Sequence, residues 1–414
     1  MDTRLFRYLF ENTSNAIVMT GCTWDKDAQE QVRYAYSCEM SHNNWHINKK
    51  NGIKHVLCGS SPVKLFFMGT FFIEDAERLI YAIHNGKLDT VIIPYVAPIQ
   101  RFLIAQTMIM RGQQNQEVMD FLQNPYLYMQ KAPVKKFYFI YGNGETFEKT
   151  EDELYPGYYL EDQDQEILDI IEDMEGYSIP VKKAGYIVDN RMLFYFGYFG
   201  VDLRMVHQFV SQYTQKGQLE NFNKRRLQKM LLFYRKEFGD PEMDALTLFC
   251  SPLEVAASKT DSVLNLIVVD KEDICHADIE QDEGRCTVKC MLYNDSDVCR
   301  CHRTENAQLR AGVLLLGNVR MNVYFQELKQ RYQCIENQIR AITLPSCGHI
   351  QNWNRDILQL DTKKNVLFWI CTLQPQTSDR VIREIKINNA RHRIVGLTEN
   401  YGCCFNGFLT EKTS

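Results

Sequence analysis

Two acids and two loop residues are the first places in this chain where chemistry could be done. Glu74 and Asp75 open a stretch of helical spacing just after an apolar run, and Cys347 and His349 follow another apolar run that ends at Leu344. Carboxylate, thiolate and imidazole are all metal donors, so Asp75 with Cys347 or His349 can be drawn as a single-metal or metal-free centre. Paired acids on a first helical turn have a plainer use, because the unpaired N–H groups there favour negative charge. Cys347 and His349 can also be drawn as a nucleophile and its base. Residues two apart on a loop seldom face each other, however, and no third group is placed to orient the imidazole.

A denser set of donors lies at Cys275-His276, Cys286-Thr-Val-Lys-Cys290 and Cys299-Arg-Cys-His302. Five thiols and two imidazoles within 28 residues can close a single structural zinc over a hairpin, held by Cys286, Cys290, Cys299, Cys301 and His302. The spacings Cys-x3-Cys and Cys-x-Cys-His are not those of a zinc knuckle, and reduced strand or surface thiols are the competing reading. Cys22, Cys38, Cys58, Cys250 and Cys371 sit in apolar runs and read as reduced core thiols.

The elements that must position these residues follow from the apolar pattern. Residues 15–20 and 32–38 alternate like a hairpin. Strand 63–68, helical spacing over 74–85 closed by Gly86, and the buried run 90–94 make a parallel crossover unit. From 97 to 240 the spacing predicts helices over 164–174, 203–213 and 219–238, with strands or buried packing segments at 185–190 and 192–196. Strand-like runs return at 245–250, 264–269 and 313–316, after which helix and strand alternate to residue 398. That alternation predicts an α/β core over 1–110 and 240–414, with 111–239 as a mostly helical insertion or cap. The acidic run 151–175 has no calcium-loop spacing and reads as a solvated face.

Composition narrows the classes. A chain of 414 residues that is 45% apolar and 12% aromatic has material for a large core. Its 47 basic and 52 acidic residues give a net charge of −5 without a basic tract, so no nucleic-acid footprint is expected. No apolar stretch reaches the length of a membrane span and residues 1–15 do not read as a leader, so a cytoplasmic protein without a membrane partner is expected.

Five segments taken together resemble the metallo-β-lactamase fold family: Phe67-Met-Gly-Thr-Phe-Phe-Ile-Glu-Asp-Ala-Glu-Arg-Leu79, Ile92-Ile-Pro-Tyr-Val-Ala-Pro98, Leu314-Leu-Leu-Gly-Asn318, Leu344-Pro-Ser-Cys-Gly-His349 and Val395-Gly-Leu-Thr-Glu399. The likeness is strongest to a bacterial branch of predicted hydrolases found in anti-phage defence operons beside proteases or ATPases. It implies a four-layer αββα sandwich whose metal ligands fall at Thr70, Phe72, Glu74, Asp75, Asn318 and Ser346, with a last one near Gln376. Most of those residues are poor donors, so the resemblance implies a vestigial cleft, lined also by Cys347 and His349. No cofactor is expected there, and hydrolysis by metal-bound hydroxide should be absent. The expectation is a binding, regulatory or scaffolding subunit with a protein partner, a protease or ATPase of the same operon. The other class is an active phosphodiesterase- or nuclease-like hydrolase with a metal centre rebuilt from Glu74, Asp75, Cys347 and His349.

Overall fold

Short runs of β-branched and aromatic residues cannot cover their apolar faces alone, and here they pair into a single sheet. The computed structural model describes residues 3–13, 16–25, 32–39, 63–85, 88–110, 112, 115–144, 156–189, 192–215, 224–239, 244–253, 260–270, 311–361, 368–372, 378–388, 393–397 and 401–411. Cys58, the thiol cluster at 275–302 and the position near Gln376 lie outside these residues.

The strands are β1 (Thr3–Thr13), β2 (Ala16–Asp25), β3 (Val32–Glu39), β4 (Val63–Met68), β5 (Leu88–Pro94), β6 (Lys136–Ile140), β7 (Gly157–Asp162) and β8 (Val181–Asp189). They continue as β9 (Met192–Phe199), β10 (Ala245–Pro252), β11 (Thr260–Asp270), β12 (Gly312–Leu315), β13 (Ile339–Thr343), β14 (Phe368–Thr372), β15 (Arg393–Leu397) and β16 (Tyr401–Glu411). They join in the order β11-β16-β1-β2-β3-β4-β5-β6-β8-β9-β10-β12-β13-β14-β15, with β7 paired to β8. Two parallel runs, β3 to β8 and β12 to β15, are linked by antiparallel β9 and β10.

The helices are α1 (Ile73–Asn85), α2 (Pro98–Met110), α3 (Gln116–Gln123), α4 (Pro125–Lys131), α5 (Gln165–Glu175), α6 (Leu203–Gln215), α7 (Lys224–Phe238), α8 (Met321–Tyr332) and α9 (Asp379–Asn388). Within the expected alternation of helix and strand up to 398, Arg355–Asp361 is a 3-10 helix. No described helix is long and apolar enough to cross a membrane.

Side-chain alternation along the strands feeds three apolar cores. On β12 and β14, Val313, Leu315, Phe368 and Ile370 turn to a middle core, while Leu314, Leu316, Trp369 and Cys371 turn to a second, beneath α8 and α9. On β4 and β5, Leu65, Phe67 and Ile92 enter the same middle core, and Phe66, Met68, Val91 and Ile93 face a third, beneath α1 to α7. Both parallel runs therefore share the middle core, where Phe67 lies 5.7 Å from the ring of Phe194 and 5.6 Å from that of Phe196.

Residues 111–239, expected as a mostly helical insertion or cap, carry α3 to α7 and are also part of the sheet. They supply β6, β8 and β9, which occupy the centre of the strand order, and β7, which pairs with β8. The reason is burial: all eight residues of β9 are buried, so Met192–Phe199 is a sheet interior rather than a cap. Phe67→Ala should cost about 3–5 kcal/mol, as for other fully buried aromatic truncations. Urea unfolding should show a lower midpoint at unchanged slope, and a loss under 1 kcal/mol would mean the middle core is not shared as described.

Candidate functional site

Parallel strands end where backbone groups and side chains can converge, and here the carboxyl ends of the two parallel runs meet. Asp75 is the centre of that meeting. It sits in the first turn of α1 and is fully buried, so its carboxylate must be satisfied from within. Ser37 Oγ donates to Oδ1 at 2.7 Å and the Glu39 backbone N–H to Oδ2 at 2.9 Å. Arg78 Nη1 donates to Oδ1 at 3.0 Å, and the Thr70 hydroxyl closes on Oδ2. Arg78 Nη2 also reaches Glu39 Oε2 at 2.8 Å, so one guanidinium spans two buried carboxyl groups.

Burial raises the pKa of Glu39 well above the carboxylate range; Arg78 pulls against that rise, and Glu74 and Asp75 add to it. Burial works against the charge of Arg78, yet Glu39 and Asp75 hold its guanidinium above even the usual arginine value. Asn318, 1% exposed, joins through Nδ2 to the Glu39 carbonyl at 2.7 Å, and its Oδ1 has no partner among the described residues.

Two glycines let the loops press this close. A Cβ on Gly69 would lie 2.7 Å from Cys38 Cβ and from the Tyr36 hydroxyl, and one on Gly317 (φ 58°) would lie 2.7 Å from the same hydroxyl. Gly69 also bridges backbones, donating to Ser37 O at 2.6 Å and accepting from Leu246 N at 2.7 Å. Cys38, Cys250 and Cys371 are buried, as their apolar runs implied, and burial pushes the Cys38 and Cys250 thiols up.

Thr70, Asp75 and Asn318 thus fall into one network. Ser346 reaches it by backbone only, donating to Gly317 O at 3.0 Å, while its hydroxyl accepts from Asn352 Nδ2 at 2.8 Å. It is the one non-glycine residue with positive φ among the described residues, at 47°, a conformation that strains an L side chain. Phe72 is 1% exposed and its carbonyl starts α1 by accepting from Ala76 N at 2.9 Å. Glu74 is half-buried beside the pair. His349 stays within its own loop, accepting from Gln351 N at 3.4 Å, and the side chain of Cys347 is outside the described residues. Ser37, Glu39 and Arg78 are the members that the sequence pattern did not single out. The only local sign was Arg78 three residues after Asp75, one helical turn away.

The resident metal pair that the resemblance implies does not fit these residues. Thr70 spends its hydroxyl on Asp75, Phe72 carries no donor atom, and Asn318 has no charge with which to bridge two cations. A guanidinium already stands 3.0 Å from the Asp75 carboxylate and would repel a metal ion. Among the described residues no three His, Cys, Asp or Glu side chains gather as a metal group.

A second buried acid braces the same edge. Asp244, just before β10, accepts from Val201 N at 3.2 Å, Gln100 Nε2 at 3.3 Å, Tyr198 OH at 3.4 Å and Arg320 Nη2 at 3.3 Å. Burial pushes its pKa up to about 6, with Arg320 and these hydrogen bonds pulling the other way. Against known protein families, curated proteins and solved structures, the chain matches none.

A carboxyl whose pKa is raised on folding keeps its proton in the native state after the unfolded chain has released its own. The contribution of Asp244 is therefore full below about pH 4 and is lost as pH rises through about 6. About two pKa units correspond to roughly 3 kcal/mol. Urea unfolding from pH 4 to 7 should show Asp244→Asn flatter than the parent by about that amount; equal slopes would contradict it.

Proposed function

We propose that this chain is a catalytically inactive metallo-β-lactamase-like protein, a four-layer αββα sandwich acting as a binding, regulatory or scaffolding subunit. The observation that carries this is the Asp75 carboxylate, whose two oxygens accept from Ser37, the Glu39 backbone, Thr70 and Arg78 while it is 0% exposed. A hydrolytic metal site needs carboxylates free to coordinate and an open position for water or substrate. Here the corresponding groups are spent on one another. The layering is supported by three apolar cores, the middle one shared by both strand runs and the outer two covered by helices.

The proposed setting is a bacterial defence complex with a protease or ATPase partner, and its support is the resemblance of the quoted motifs alone. With a net charge of −5, a protein partner suits the chain better than nucleic acid.

Metal analysis of protein purified without chelators, alongside phosphodiesterase and nuclease assays with added Mn2+ or Zn2+, separates the readings. The expected result is no metal that depends on Asp75 and no metal-dependent turnover. Two ions per chain that disappear in Asp75→Ala, together with turnover, would instead establish a rebuilt centre. A single zinc lost only on replacing Cys286 or Cys299 belongs to the thiol cluster and leaves the proposal standing.

A further inference from the structure

We propose that Arg78 is the built-in cation of this edge, and that removing its side chain uncovers a divalent-cation site between Glu39 and Asp75. The inference rests on the reading of the edge as non-catalytic and adds what holds it together. Two carboxyl groups, 2% and 0% exposed, lie 2.8 and 3.0 Å from two nitrogens of one guanidinium. Burying such a pair without a cation is unfavourable, since each charge loses its hydration and repels the other. A two-metal site would answer that with ions; this chain answers it with a residue one turn along α1.

The geometry also explains why the cation is an arginine. A planar fork delivers separate N–H groups to the two carboxyls, Nη1 to Asp75 and Nη2 to Glu39, which a lysine ammonium does less well. The hydroxyls of Ser37 and Thr70 donate to the Asp75 carboxylate, Glu74 acts on both Glu39 and Arg78, and the Cys38 thiol donates to the Glu39 carbonyl at 3.5 Å. The carboxylate and hydroxyl oxygens suit a hard cation such as Mn2+ or Ca2+. In the parent protein the guanidinium excludes such an ion by charge and by volume.

The experiment compares the parent with Arg78→Ala, Arg78→Lys and Glu39→Gln/Arg78→Ala in thermal melts, with Mn2+ and Ca2+ added as salts. Arg78→Ala should melt several degrees below the parent and recover at least half of that loss in millimolar Mn2+ or Ca2+. Calorimetry should count one ion per chain. The parent and Arg78→Lys should not respond, and Glu39→Gln/Arg78→Ala should lose the response. If Arg78→Ala is recovered only unfolded, refolding with and without Mn2+ reads the same claim, with folded protein expected only with the ion. An Arg78→Ala protein that melts with the parent, or folds and ignores both ions, overturns the inference. Mn2+ or Zn2+ bound at Asp75 in the parent would overturn the non-catalytic reading instead.

Discussion

A carboxylate sealed from water must find all its hydrogen bonds inside the protein, and Asp75 finds them by drawing three elements to one point. Ser37 and the Glu39 amide come from the end of β3, Thr70 from the turn after β4, and Arg78 from the next turn of α1. Glu39 is then committed twice, its carboxyl to Arg78 and its carbonyl to Asn318 in the loop after β12. Strand ends about 280 residues apart in sequence are therefore closed over a single ion-paired centre. The approach of Gly69 and Gly317 to the Tyr36 hydroxyl and to Cys38 leaves no room for a side chain at either turn.

The Asp244 network follows the same rule a short way along that edge. Its acid precedes β10, its amide donor follows β9, Gln100 comes from α2, and Arg320 enters at the start of α8. Both centres pair a buried acid with an arginine delivered by a helix, and both stitch the two strand runs together at their ends. Such networks are costly to break at one member and close to neutral to replace whole. The three apolar cores supply the apolar burial, while these two centres decide which loops meet.

Elements with a clear period were legible in the sequence. The unit β4-α1-β5 and the alternation from β12 to β15 appear where apolar spacing placed them, because each buries one face or both in a regular rhythm. In 111–239 the pattern is less clear, because β6 is only five residues, Lys-Phe-Tyr-Phe-Ile, and the aromatic strands β8 and β9, which lie between helices, read equally as strands or as packing segments. Aromatic density marks burial without saying whether a sheet or a cap does the burying. At the site, the motif register brought Thr70, Asp75 and Asn318 to one network. The partners of Asp75 at 37 and 39 lie too far away in sequence for any local pattern to show, and the strained backbone of Ser346 leaves no trace in residue type.

On the proposed reading, exchanging a metal for an arginine changes what this edge can do and what it depends on. A metal centre keeps an exchangeable position, and its geometry is lost when the ion is withheld. A guanidinium fixed by two carboxyls has no position to exchange, so it offers no activated water, but its geometry needs nothing from solution. For a subunit whose task is to present a surface to another protein, that independence is useful: the loops at Gly69, Gly317 and Ser346 are positioned by the chain itself. On that reading the same bonds that leave no open position for water would also hold the edge rigid, and rigidity before contact lowers the entropic cost of recognition.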